Sequence, residues 1–157
     1  MDKKRVIIGI VILAVIVIAV VTVIWPYYEQ RKYTGERVEL PAGLTATETV
    51  ESYLDFYGKG DTNAVMSFHY EVGDNYLPPS LWLVKDVRVE EIEDVSEETD
   101  FAHSRTGNIE SYDKACVKVT YSIDYYFKST ETRENYYYYL VQVSPDSGWL
   151  ISDQGPV

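Results

Sequence analysis

Fifteen of the 157 residues are tyrosine, and four stand in a row, Tyr136 to Tyr139, in the stretch NYYYYLVQV. The groups able to do chemistry in this chain are therefore mainly phenols, with Asp153, Asp55 and His69 as the acid or base candidates nearest to them in pattern. Acid–base catalysis needs such groups to converge within hydrogen-bond reach of a substrate. Spacing brings no such set together here. His69 and His103 are isolated and form neither a triad nor a metal cluster, and the single Cys116 excludes an internal disulfide framework and any multi-cysteine metal site. Cys116 reads as a small strand residue. No metal, no cofactor and no catalytic residue is expected.

The phenols then need another purpose. Successive side chains of a strand point to opposite faces, so two of the four tyrosines must face each way. In the adjacent segment Ala115 to Phe127, the odd-numbered residues are apolar while Lys118, Thr120, Ser122, Asp124 and Lys128 are polar, which marks a core face. Pairing Phe127 with Tyr137, Tyr125 with Tyr139, Ile123 with Val141 and Tyr121 with Val143 joins two apolar faces across a loop at Thr130 to Glu134. Val143 opposite Trp149 and Val141 opposite Ile151 extend that face through the turn Ser144-Pro145-Asp146-Ser147-Gly148. On this register Tyr121, Tyr125, Tyr137, Tyr139 and Trp149 face inward, toward the core. Tyr126, Tyr136, Tyr138 and Leu140 face outward, either as a cross-strand aromatic ladder or as a contact surface for a partner.

The elements around these strands are also patterned. Thr45 and Glu48 have capping-box spacing, Val50, Tyr53, Leu54 and Tyr57 follow at helical spacing, and Gly58 is the expected helix stop. Asp61 is placed to cap a short second helix with Ala64, Val65 and Phe68 on its buried side, closed by Pro78-Pro79. Trp82 to Val95 reads as extended, and its acidic continuation from Glu90 to Asp100 lacks the spacing of a calcium loop, so a solvated strand end is expected.

Ahead of this lies a different kind of segment. Val6 to Trp25 carries no charge and only one polar residue, Thr22, a length that spans a bilayer core. A cleaved signal peptide has a shorter apolar stretch followed by small residues, whereas here Trp25, Pro26, Tyr27 and Tyr28 follow. Lys3, Lys4 and Arg5 place the N-terminus in the cytoplasm and the remainder outside it. The expected organisation is a tail at 1–5, a transmembrane signal anchor at 6–25, a stalk at 26–44 and one domain at 45–157.

The net charge is −11 despite the basic N-terminus. So acidic a chain repels phosphate backbones, and no nucleic-acid partner is expected. The absence of Asn-x-Ser/Thr sites and of disulfides fits a prokaryotic envelope.

Two helices, the first ending in Tyr57-Gly58-Lys59-Gly60-Asp61, followed by antiparallel strands ending in Gly148-Trp149-Leu150-Ile151, resemble the nuclear transport factor 2-like (cystatin-like) superfamily. That resemblance implies an α+β domain in which helices cover a curved sheet as a cone with an interior pocket, lined by Tyr121, Tyr125, Tyr137, Tyr139 and Trp149. It implies that the opposite face of the sheet makes a homodimer or meets another envelope protein, as in membrane-anchored bacterial envelope domains. It also implies two alternatives: a small-molecule or peptide ligand in the cone, or an enzyme similar to ketosteroid isomerase or scytalone dehydratase. A fold carries no activity by itself, so the expectation is a non-catalytic, extracytoplasmic interaction module.

Overall fold

The computed structural model describes residues 3–25, 33–70, 81–103 and 105–156. They divide into two compact units, Met1–Lys32 and Tyr33–Val157. The first is helix α1, Lys3–Ala19, which continues through Val20–Ile24 in a wider turn where the Trp25 N–H bonds the Val20 carbonyl. The Thr22 hydroxyl donates to the Ile18 carbonyl at 2.7 Å. Ile7–Ile24 is the one helix among the described residues long and apolar enough to cross a membrane.

The second unit is α+β: α2 (Ala46–Lys59), α3 (Thr62–Ser67) and an antiparallel sheet of β1 (Val84–Asp94), β2 (Asp113–Tyr125), β3 (Glu131–Gln142) and β4 (Trp149–Pro156), in the order β1-β2-β3-β4. The capping box forms: the Thr45 hydroxyl accepts from the Glu48 N–H, and the Glu48 carboxylate accepts from the Thr45 N–H at 2.8 Å, holding that carboxyl below its ordinary value. The helix runs past its expected stop. Gly60, at φ 69°, takes the left-handed conformation, while Gly58 stays helical where α2 passes close over β1. A Cβ on Gly58 would lie 3.1 Å from the Val87 nitrogen.

Asp61 caps α3 by accepting from the Ala64 N–H at 3.0 Å, and Ala64, Val65 and Phe68 are buried. The stretch before α2, expected as part of a stalk, lies against the domain from Tyr33 onward. The Thr34 N–H bonds the Asn63 side chain at 2.9 Å, the Val38 N–H bonds the Ser67 hydroxyl at 2.8 Å, and Leu40 packs on the core. Pro78-Pro79 lies outside the described residues.

Val50, Tyr53, Leu54 and Tyr57 of α2 pack on Val117, Val119, Tyr121 and Ile123 of β2, with Tyr138, Leu140 and Ile151 beyond. Residues 68–70 cover the open edge of β4 at Ile151, whose N–H donates to the Phe68 carbonyl at 2.7 Å and whose carbonyl accepts from the Tyr70 N–H at 2.9 Å.

The pairing of β2 with β3 differs from the expected register in two ways. The hairpin closes earlier, with Ile123 opposite Glu131 and Tyr121 opposite Arg133 rather than Val143. That slide is by an even number of residues and leaves the faces unchanged. A bulge then exchanges them: between Tyr121 and Val119 the partner strand advances from Arg133 to Tyr136, one residue too many, and Asn135 sits at φ 48°. Asparagine tolerates the left-handed region better than most side chains, which is why the extra residue can be accommodated there. Below the bulge Val119 faces Tyr136, Val117 faces Tyr138 and Ala115 faces Leu140. The inward pair is therefore Tyr136 and Tyr138, and the outward pair is Tyr137 and Tyr139. A further bulge between β3 and β4 sets Leu140 opposite Ile151, so Val143 is left exposed, as is Phe127 at the tip of the hairpin.

Candidate functional site

The inward phenols gather around one cation. Tyr138, 1% exposed, donates to the Tyr121 hydroxyl at 3.0 Å, and the Arg133 guanidinium donates to the same oxygen at 3.1 Å. Arg133 also lies over the Tyr136 ring, 5.1 Å from its centroid, and over the Tyr121 ring at 5.8 Å. The rings themselves meet edge-on or tilted: Tyr121 with Tyr136 at 5.9 Å, Tyr136 with Tyr138 at 5.5 Å, and Tyr53 of α2 with Tyr138 at 5.6 Å. The bulge makes this possible, since it puts Arg133 and Tyr136 on the same face although they are three positions apart.

The electrostatics follow from burial. Burial raises the Tyr138 hydroxyl well above its ordinary value, and it raises those of Tyr57 and Tyr121 against the opposing pull of Arg133. All three are neutral near pH 7. Burial also works against the charge on Arg133, but the phenols and Glu131 more than offset it, so the guanidinium stays charged. Glu131 is lowered to about 2, first by the Lys128 ammonium at 2.8 Å and then by the Arg133 Nε at 3.0 Å, and Tyr125 donates to it at 3.3 Å. A carboxylate so committed is a poor proton acceptor. The cluster thus holds neutral donors and a fixed ion pair, an arrangement suited to rigidity and to hydrogen bonding rather than to moving a proton.

The acid and base candidates are scattered. His69 is buried against the Tyr53 ring at 5.6 Å, its imidazole lowered to about 4 by burial and only partly restored by a hydrogen bond with the Ile151 backbone. Asp55 pairs with Lys59 on the exposed side of α2. Asp153 lies opposite Tyr139 on β4, and the His103 side chain lies outside the described residues. Among the described residues no group of three or more His, Cys, Asp or Glu side chains could hold a metal.

Of the residues assigned to a contact face, Tyr138 and Leu140 are core residues, and Tyr136 packs against the same core. Tyr138 and Leu140 are buried and Tyr136 is half-buried. Tyr126 is 48% exposed, at the hairpin tip. Of those assigned to a pocket, Tyr121 and Tyr125 face the helix side, whereas Tyr137 and Tyr139 do not. Trp149 borders two cavities, one of about 660 Å³ beside Asp94–Glu98 and the start of α2, the other of about 210 Å³ beneath Leu40–Ala42. Both lie at the end of the sheet away from Arg133.

The outer face of the sheet is covered at one end. Cys116 and Val141 are buried there, and Arg105–Asn108 lies over that end: the Thr106 and Ser152 hydroxyls meet at 2.8 Å, and Lys114 donates to the Gly107 carbonyl at 3.0 Å. Burial raises the Cys116 thiol above its ordinary value. Alongside, Tyr137 and Tyr139 are half-buried, next to Lys118, which is ion-paired with Glu93 at 2.6 Å. Among the described residues no hydrogen bond holds either hydroxyl.

Arg133 was the participant hardest to see in the sequence. Its signal, an arginine and an asparagine immediately before a tyrosine run, has meaning only once the bulge is known. Comparison with protein-family models, with curated proteins and with solved structures finds no match to this chain.

Proposed function

We propose that this chain is a single-pass membrane protein, N-terminus in the cytoplasm, whose outer α+β domain is a non-catalytic module that binds another protein or a second copy of itself through the outer face of the sheet. The observation that carries this reading is the placement of Tyr137 and Tyr139 on the outer face of the sheet. The inward pair is packed in or against the core, Tyr138 with its hydroxyl on Tyr121 and Tyr136 with its ring beneath Arg133. The outward pair, Tyr137 and Tyr139, keeps both hydroxyls unengaged among the described residues, on rings already half-buried and so held in place at little further entropic cost. Preorganised tyrosine of this kind is what protein interfaces favour. The anchor is supported by the length and composition of Ile7–Ile24, and the orientation by Lys3, Lys4 and Arg5. The superfamily resemblance is consistent with such a module and rests on its motifs alone.

In-membrane photo-crosslinking of the full chain tests this, with the probe at Tyr137 and a control probe at Glu91. One dominant adduct at position 137, lost on Tyr139→Ser, is the expected result. Background capture at both positions refutes the assignment of this face.

A second reading is favoured by the cavity of about 660 Å³, which falls in the size range of small-ligand sites and is bordered by Trp149. It requires saturable binding that Trp149→Ala weakens, with the fold intact by circular dichroism.

A further inference from the structure

We propose that the tip of the β2–β3 hairpin, Tyr126 and Phe127 followed by Lys128, rests in the interfacial layer of the bilayer that holds α1. This inference depends on the membrane-anchored reading above and adds a second, lipid-facing surface to it.

Phe127 is 88% exposed and its neighbour Tyr126 is 48% exposed, with ring centroids 6.4 Å apart. Among the described residues of the domain, the other strongly exposed aromatic, Tyr112 at 63%, stands singly at the opposite end of β2, so Tyr126 and Phe127 form the exposed aromatic pair. The tip is also braced. The Tyr126 N–H bonds the Leu83 carbonyl at 3.0 Å, the Thr130 hydroxyl bonds Asp124 at 2.6 Å, and Lys128 spans to Glu131 while lying 5.0 Å from the Tyr125 ring centroid. The rings project from a fixed support. An aromatic pair next to a lysine is the combination that partitions to the headgroup region, where rings take the apolar side and the ammonium reaches water.

Charge selects a bilayer as the occupant. Because β1 and β2 are antiparallel, with Val84 opposite Tyr125 and Asp94 opposite Val117, the tip lies at one end of the sheet and the β1–β2 connection at the other. At the tip end, the carboxylates of Asp124 and Glu131 are paired with Arg88, Lys128 and Arg133, and the exposed Asp86 is offset by the adjacent exposed Lys85. At the far end Glu97, Glu98 and Asp113 are exposed around one depression in the surface. An anionic leaflet therefore repels the far end and tolerates the tip, which orients the domain tip-first. The anchor keeps that leaflet at high effective concentration, so a weak contact suffices.

The test uses the full chain in vesicles of three parts phosphatidylcholine to one part phosphatidylglycerol. Ser129→Cys receives a fluorophore, since Cys116 is buried and unreactive in the folded state, and Glu97→Cys serves as the comparison site. Nitroxide-headgroup lipid is expected to quench the label at 129 several-fold more than at 97, and Phe127→Asp is expected to abolish the difference. Equal quenching at both sites, or quenching at 129 indifferent to Phe127→Asp, overturns the proposal. Flotation after a carbonate wash separates the two readings: a chain that fails to float refutes the anchor, whereas one that floats without selective quenching refutes the tip contact alone.

Discussion

The Tyr138 hydroxyl donates to the Tyr121 hydroxyl across 3.0 Å, tying β3 to β2 through two buried phenols whose shared oxygen also receives Arg133. Buried polar groups in such a chain are costly to orphan and cheap to keep. Tyr138→Phe removes one donor and leaves Arg133 to satisfy Tyr121, so a loss of about 0.5–1.5 kcal/mol is expected. Tyr138→Ala opens a cavity beneath Tyr53 and costs about 3–5 kcal/mol. Denaturant titration of the full chain in mild detergent, followed by near-ultraviolet dichroism, reads both; equal losses for the two variants would show that the hydroxyl, not the ring, carries the contribution.

Asn135 determines which phenols are inside. A β-branched residue is strained at φ 48°, so Asn135→Val is expected to destabilise the domain by about 1–2 kcal/mol, while Asn135→Gly is tolerated. Deleting Asn135 removes the extra residue and leaves Arg133 and Tyr136 two positions apart, so a regular ladder keeps Tyr136 and Tyr138 toward α2. Mass-spectrometric mapping of tyrosine nitration is the readout: within the run, modification favours Tyr137 and Tyr139 over Tyr138 both in the native chain and in the deletion variant. A deletion variant in which Tyr138 becomes the preferred site would contradict the role given to the bulge.

Gly58 answers to close approach rather than to backbone freedom. Alanine there gains helix propensity of about 1 kcal/mol but presses on Val87 at 3.1 Å, and the two effects nearly cancel. Gly58→Leu has no such compensation and should lower the unfolding midpoint by several degrees. A neutral leucine would mean that α2 and β1 separate easily.

Acid should weaken the domain in two stages. His69 is held at about 4 in the fold against 6.5 outside it, so between those values the unfolded chain binds a proton that the native one excludes. Stability is full above about pH 6.5 and falls as the pH drops towards 4. Glu131, at about 2 against 4.5, adds a second loss below the ordinary carboxylate range. Thermal midpoints measured from pH 7 to pH 3 should decline less in the upper window for His69→Gln, and less in the lower window for Glu131→Gln.

The legible parts of this chain were those decided locally. The Thr45–Glu48 box, the Asp61 cap and the alternation of Ala115 to Ile123 each depend on side chains a few positions apart, and each forms. What depended on distant partners was harder. Gly58 and Gly60 are equally good helix stops until the proximity of Val87 is known. The hairpin between β2 and β3 looks best in sequence when apolar residues are matched throughout, yet the chain pairs Ile123 with Glu131 and Tyr121 with Arg133, because the guanidinium can stack on rings and bond a phenol at once. The exposed Phe127 follows from that same early closure.

The run Tyr136 to Tyr139 has a further consequence. Tyr136, Tyr138 and Leu140 make one face, and Tyr137, Tyr139 and Val141 make another of nearly the same volume and polarity. To its neighbours β3 is close to symmetric under a one-residue shift. Selection between two almost degenerate folds has thus been moved out of the core's side chains and into the backbone of a single asparagine.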